Sequence, residues 1–407
     1  MSKQTFVIVG ASLAGAKAAA ELRERGFDGR VVLIGTEPEL PYERPPLSKD
    51  YLRGDAPREQ AQVEDKAFYT KNEIELLLET TVTRLDASAR RVELTGKPEI
   101  GFDALLLATG SRPHRLQIPG AELDGIYYLR TLADCDALKQ RFGQGGHVAV
   151  VGGGWIGCEV AASARHLGLD VTIIHGEELP LVNVLGKEVA EFYRSVHASH
   201  GVDFVLSDNA AAFEGSGQVS AVRTMSGRTV DCDFVVVGAG ARPNVELAEA
   251  AGIEVDNGVR VDGQLRSSAP TVFAAGDIAN AWYPFYKESL RIEHWATALS
   301  QGPIAAGSML GDEKPYDELP YFFSDQYDVG MEYSGRTNPD DPVVFRGERD
   351  SGEFIAFWLH DGRVVAGMNV NVWDVNDDVQ KLIRSREQVD VARLTDPDTP
   401  LTELIPA

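Results

Sequence analysis

The sequence predicts an α/β fold with two parallel-sheet units, the second inserted into the first, followed by a C-terminal α+β domain. Two observations predict this. A short apolar strand that runs into a glycine-rich turn and then a helix occurs twice, at Phe6–Val9 with Gly10–Gly15 and at Val148–Val151 with Gly152–Gly157. After Pro320 the pattern changes to clustered aromatics and alternating segments of the antiparallel kind. Strand–glycine turn–helix is the opening of a Rossmann-like unit, so the chain reads as two such units plus a third block.

The elements follow in order. Phe6-Val7-Ile8-Val9 and Ala104-Leu105-Leu106-Leu107 are apolar throughout, as strands buried on both faces are. The first helix extends through Leu22, a second strand covers Arg30–Gly35, and the first unit reaches Ala108-Thr109-Gly110. The second unit repeats the plan with strands at Val148–Val151, Val171–Ile174 and Phe234–Val237, the last running into Gly238-Ala239-Gly240. Val272-Phe273-Ala274-Ala275-Gly276-Asp277 returns to the first pattern. The expected domains are therefore 1–112 with 242–318, 113–241, and 319–407. In the last, Phe354–Leu359 and Val364–Asn369 are expected as antiparallel strands and Asp374–Arg386 as a helix, and the tail from Asp396 is expected to pack loosely.

Bulk properties narrow the function. At 407 residues the chain is too long for one ordinary domain. No apolar run approaches the ~18–20 residues of a membrane helix. The strand at Phe6 leaves no room for a signal peptide. With only Cys135, Cys158 and Cys232, a reducing cytoplasm is the expected compartment. The net charge of −23 argues against nucleic acid or an anionic membrane as partner.

Each glycine turn is a phosphate cradle in the right context. The turn brings backbone N–H groups and a helix N-terminus against a pyrophosphate. The first is Gly10-Ala11-Ser12-Leu13-Ala14-Gly15, with Ser12 where a middle glycine is usual. Glu37, at the end of the second strand, is placed to accept hydrogen bonds from an adenosine ribose. The second, Gly152-Gly153-Gly154-Trp155-Ile156-Gly157, has all three glycines. Its second strand, Val171–Ile174, runs into His175, followed by Gly176, Glu177 and Glu178, with no Arg or Lys cluster. That favours NADH over NADPH, although a histidine stands where a carboxylate is usual.

Gly10–Gly15, Ala108-Thr109-Gly110, Gly152–Gly157 and Ala275-Gly276-Asp277, in that order, resemble the two-dinucleotide-binding flavoproteins of the glutathione-reductase type over the full length. Arg44-Pro45-Pro46-Leu47-Ser48-Lys49, Arg291-Ile292-Glu293-His294-Trp295 and Pro320-Tyr321-Phe322-Phe323-Ser324-Asp325-Gln326 resemble, more narrowly, the NADH-dependent ferredoxin reductases that serve bacterial oxygenases and cytochromes P450. Disulfide reductases of the superfamily carry closely paired cysteines, whereas the three here are far apart, so electrons are expected to leave a flavin directly.

The resemblance implies FAD and NADH as cofactors and assigns roles. Lys49 lies beside the flavin ring, with Glu159 as its ionic partner. The FAD residues are Gly10, Ser12, Ala14, Gly15, Glu37, Arg44, Val82, Ala108, Arg130, Gly276, Asp277 and Trp295. Among them, Val82 offers its backbone to the adenine, Asp277 binds the ribityl chain and Trp295 sits at the pyrimidine end. The nicotinamide residues are Gly153, Gly154, Ile156, Glu159, His175, Gly240 and Glu293. No metal ligand is expected. The family's Pro-Trp-x-Trp-Ser-Asp-Gln segment has Tyr321 and Phe323 in place of the tryptophans, at the face where relatives dock ferredoxin. The implied partner is a ferredoxin, of the [2Fe–2S] type, and the implied state is a monomer or homodimer. Because ferredoxins are acidic and so is this chain, docking requires a local basic patch, for which Lys287, Arg291, Lys381, Arg384 and Arg386 are candidates. Other readings keep the flavin but change the acceptor to rubredoxin, a quinone, monodehydroascorbate or oxygen, or make the chain a redox-signalling flavoprotein like apoptosis-inducing factor.

Overall fold

A computed structural model describes residues 3–338 and 340–405. The chain divides into two units: Met1–Arg44 with Arg58–Arg112 and Ala241–Pro320, and Pro45–Pro57 with Pro113–Gly240 and Tyr321–Ala407.

The first unit is built on a five-stranded parallel sheet in the order Val272–Ala274, Ala104–Leu107, Thr5–Val9, Arg30–Ile34, Ile74–Leu77. Its strands are apolar because both faces are covered. Val7, Ile8, Leu105, Leu106 and Leu107 are fully buried, each stabilising the fold by roughly 2 kcal/mol. The helix Leu13–Glu24 carries Ala14, Ala16, Ala18, Ala19 and Ala20, which keep its surface flat. The helix Trp295–Met309 packs against it closely, and a Cβ added at Gly302 would meet the Ala14 carbonyl oxygen at 2.5 Å.

The second unit holds another five-stranded parallel sheet, in the order Val202–Leu206, Asp170–His175, His147–Val151, Phe234–Val237, Ile126–Tyr128. Its Tyr321–Ala407 part forms a five-stranded antiparallel sheet in the order Tyr321–Gln326, Val329–Gly335, Arg363–Val370, Glu353–His360, Val343–Glu348. One core joins Cys158, Leu185 and Tyr193 to Phe322, Met331, Tyr333 and Trp358, so the antiparallel sheet and the helices Trp155–His166 and Val182–Ser199 share their apolar interior.

The expected α/β class, with parallel sheets and a C-terminal antiparallel sheet, is observed. Three local expectations need correction. The strand after the second glycine helix runs Asp170–His175, which makes His175 its last residue. The last long helix is Asn376–Ser385, because Asp374 (φ 61°) and Arg386 (φ 55°) are left-handed and cannot belong to it. The tail is anchored: Leu401 is buried, and the Arg346 guanidinium donates to the carbonyls of Pro397 and Thr399.

Candidate active site

The first glycine turn shows why its residues are small. Gly10 sits at φ 121°, and a Cβ there would run into the Ala108 carbonyl. A Cβ on Gly15 would run into the Gly10 carbonyl. Only glycine lets strand, turn and helix close at this spacing. Ser12 is the N-cap of the helix, but its hydroxyl does not cap. It interacts instead with the Arg44 guanidinium and the Tyr42 carbonyl. Uncapped N-terminal amides with an arginine beside them suit a pyrophosphate. Glu37 accepts from the Tyr42 hydroxyl at 2.6 Å and lies 3.9 Å from Arg44. Ala108 backs the turn, Ala14 is buried in the helix, and Val82 begins an edge strand paired with Leu94.

Asp277 lies where the strand Val272–Ala274 runs out, and its Oδ2 accepts from the Ser111 hydroxyl at 2.7 Å. The Gly276 N–H is already taken by Gln301 Oε1 at 2.8 Å. Gly276 therefore serves close approach, with the Ala14 methyl 3.3 Å from an added Cβ. Trp295 opens its helix and donates from Nε1 to Glu43 at 3.0 Å. Glu293 pairs with Arg291, whose side chain is nearly buried. This removes Arg291 from the candidate docking charges. Lys381 is paired with Asp378 on its own helix.

The second turn repeats the first. Gly152 is at φ 114° against the Gly238 carbonyl, and Gly157 packs on the Gly152 carbonyl. Gly154 is the N-cap of Trp155–His166 and has no side chain to cap with, which suits the helix start to an external acceptor. Ile156 is exposed on the first turn of that helix. His175 Nδ1 accepts from the Gly153 N–H at 3.1 Å, and burial lowers its imidazole below the ordinary value, partly offset by Glu177. His175 is therefore a neutral support of the turn. Gly240 is left-handed at φ 89° and its carbonyl accepts from His114 N–H. Arg130 precedes a helix capped by Thr131 and Asp134.

Lys49 and Glu159 are brought together inside the second unit. Lys49 Nζ lies 3.0 Å from Glu159 Oε1, and both side chains are buried. Glu159 also accepts from Ser324 Oγ at 2.7 Å and, through Oε2, from the Ser48 hydroxyl. The Phe323 ring lies 5.3 Å from the ammonium. The placement is local in origin. Glu159 and Ser163 stand one turn apart on one helix face, and Ser163 Oγ holds the Ser48 carbonyl at 2.7 Å, which fixes the lysine segment. A buried carboxylate with a cation and two hydroxyl donors is fully compensated.

Sequence reasoning missed Ser48, Ser111, Gln301, His197, Gln326 and the role of Ser324. For Ser324 and Gln326 a signal existed. Period two puts both on the face of Tyr321–Gln326 that carries Phe322, and polar residues on a buried strand face need partners. Tyr321 donates to Glu332 at 2.8 Å and Phe323 borders Lys49, so both aromatics have packing partners of their own. All three cysteines are free and buried, with Cys135 and Cys232 pushed up to about 12 by burial. Among the described residues there is no cluster fit to hold a metal ion and no helix long and apolar enough to cross a membrane.

Two glycine cradles, a carboxylate at a strand end and a buried lysine–glutamate pair, without any cysteine pair, define a dinucleotide-dependent oxidoreductase with two nucleotide sites. Comparison with known proteins agrees. Residues 4–302 match the family described as pyridine nucleotide-disulphide oxidoreductase, and residues 321–405 match the reductase C-terminal family. The chain is 39% identical over 401 residues to the anthranilate 1,2-dioxygenase system ferredoxin–NAD(+) reductase component of Burkholderia cepacia, covering 98% of each chain. It is 38% identical over 405 residues to the corresponding biphenyl dioxygenase component of Paraburkholderia xenovorans, covering 99% of this chain and 98% of that one. Among solved structures, the covalent putidaredoxin reductase–putidaredoxin complex superposes with a TM-score of 0.95 at 34% identity, covering 100% of this chain and 99% of that one. The chain belongs to the pyridine nucleotide-disulphide oxidoreductases, within their FAD-dependent ferredoxin reductase family.

Proposed function

We propose that the protein carries electrons from NADH, through FAD, one at a time to a [2Fe–2S] ferredoxin that serves an oxygenase or a cytochrome P450. The observation that carries this reading is the pair Lys49–Glu159. The segment after the first nucleotide unit presents a buried, charge-compensated lysine and no cysteine. Bound FAD supplies the conversion between two-electron donors and one-electron acceptors. The residues supply position and electrostatics. Glu159, itself held by Ser48 and Ser324, fixes the Lys49 ammonium in a water-poor setting, where a preset cation stabilises developing negative charge strongly.

We assign FAD to residues 1–112 and 242–318. Gly10, Ser12, Ala14, Gly15 and Arg44 cradle the pyrophosphate, Glu37 and Val82 bind the adenosine half, Ala108, Gly276 and Trp295 line the flavin half, and Asp277 holds the ribityl chain. NADH is assigned to residues 113–241, on Gly153, Gly154, Ile156, His175 and Gly240. Residues 319–407 are assigned to the interface. The preference for NADH rests on His175: a neutral ring whose Nδ1 is occupied by the Gly153 N–H offers no cation to a 2′-phosphate. A monomer or homodimer in a reducing cytoplasm suits three free, buried thiols.

Stopped-flow reduction of the yellow protein by NADH and by NADPH, followed by reoxidation with a [2Fe–2S] ferredoxin, tests the reading. Fast reduction by NADH and fast reoxidation by ferredoxin are expected. Turnover only with rubredoxin, a quinone or oxygen would overturn the acceptor. A charge-transfer complex that outlives every acceptor would favour a signalling role.

A further inference from the structure

A line of side chains continues from Glu159 into the interior of the second unit. Ser324 Oγ lies 2.7 Å from Glu159 Oε1, and Gln326 Nε2 lies 3.1 Å from Ser324 Oγ. His197 Nε2 lies 2.8 Å from Gln326 Oε1, and His197 Nδ1 lies 3.1 Å from the Tyr327 hydroxyl. Ser324, Gln326 and His197 are each about 1% exposed or less. Tyr327 is half-buried, and its ring stacks on exposed His200 at 3.7 Å.

Chemistry fixes the direction of every bond in this line. An ionised carboxylate only accepts, so Ser324 donates to Glu159. Ser324 must then accept from the next residue, which makes the Gln326 amide nitrogen the atom that faces it. The Gln326 oxygen is left facing His197, whose Nε2 must therefore carry a hydrogen. A neutral His197 then has a bare Nδ1, which accepts from Tyr327. All donors point inward, from the Tyr327 phenol to Glu159. Burial, outweighing the Gln326 hydrogen bond, lowers the His197 imidazole to about 4, with His200 acting in the same direction, which agrees with a neutral ring.

We propose that His197 and Gln326 are positioning residues for the Lys49–Glu159 pair. Their aligned donors keep the Ser324 hydroxyl turned toward Glu159, and so keep the Glu159 carboxylate, and with it Lys49, held in place. The inference rests on the reading of Lys49 and Glu159 given above. Aligned dipoles strengthen one another in a poorly polarisable interior. Loss of the inner donor leaves the charged carboxylate less well satisfied. The other groups whose charge bears on this pair are Asp325, which interacts with both Lys49 and Glu159, and the buried Cys158 and Tyr193, whose ionisation the Glu159 charge opposes. A line of this kind is a device for orientation. The Gln326 amide has no proton to pass on, so the line is not a conduit for protons from the surface.

Two measurements on the flavin-loaded protein test the proposal. Nitrogen-15 NMR of labelled histidine should show His197 as the Nε2–H tautomer, without titration between about pH 5.5 and 8.5. The opposite tautomer, or titration in that range, would overturn the proposal whether or not any variant folds. Stopped-flow reduction by NADH should show the acid limb moved up by about one pH unit in His197→Leu and in Gln326→Leu, with the alkaline plateau within about threefold of wild type. His197→Gln, which keeps an amide donor, should restore the wild-type limb. A rate that falls equally at every pH, or an unmoved limb, would reduce these residues to packing. If Lys49→Ala leaves reduction unchanged, it is the reading of the pair that fails, and the tautomer result still reports on the line itself.

Discussion

Acidification should cost this protein stability through the buried imidazole of His197. His197 is fully buried, and burial lowers it from 6.5 to about 4. The unfolded chain takes up a proton near the ordinary histidine value, while the folded chain refuses it until about pH 4. Stability is therefore full above about pH 6.5 and is lost as pH falls toward 4. A shift of about 2.5 units at about 1.4 kcal/mol each amounts to about 3 kcal/mol over that window. The assay is urea denaturation with FAD in excess, followed by tryptophan fluorescence, at pH 7, 5.5 and 4.5 for wild type and His197→Gln. Other carboxylates and histidines titrate in both proteins, so the comparison isolates His197. Wild type should lose about 2 kcal/mol more than the variant between pH 7 and 4.5. Parallel losses would refute the argument that His197 is held neutral by burial.

Four further outcomes are expected. Lys49→Ala should keep FAD yet slow its reduction by NADH about 100-fold and destabilise the fold by about 3 kcal/mol, because Glu159 is left buried without its cation; stopped-flow and melting measure the two effects. Asp277→Ala should weaken FAD retention on a desalting column and leave Ser111 without its acceptor; full retention would count against the assignment. Gly157→Ala should abolish a stable second unit, because its methyl meets the Gly152 carbonyl, whereas Gly154→Ala meets nothing within 4 Å and should change stability by less than about 1 kcal/mol; thermal melts of the pair decide. The three thiols should be silent to Ellman's reagent in the native protein and all react in denaturant, since burial raises every one of them.

The parallel sheets were legible because their strands are uniformly apolar and end in glycine turns, a pattern set by local chemistry. Glu37, Asp277 and the two turns could be placed for the same reason, since each lies at a strand end. Lys49 could not be judged from its neighbours, because an isolated lysine in a Pro- and Asp-rich segment reads as solvated. It is buried by partners 110 residues or more away. The lengths of the late elements were misjudged where single residues adopt left-handed backbone, as Asp374 and Arg386 do. The tail was misjudged because its anchor, Arg346, lies on a strand some fifty residues earlier.

The donors around Glu159 also set an order of assembly. Ser48 lies 111 residues before it and Ser324 165 residues after it. During synthesis the glycine helix that bears Glu159 emerges with its lysine segment already made, but it waits for another 165 residues before Ser324 arrives. Contacts this distant in sequence form late. A chain cut before the antiparallel sheet would retain both glycine turns and still hold the carboxylate incompletely, so the C-terminal block completes the setting of the Lys49–Glu159 pair.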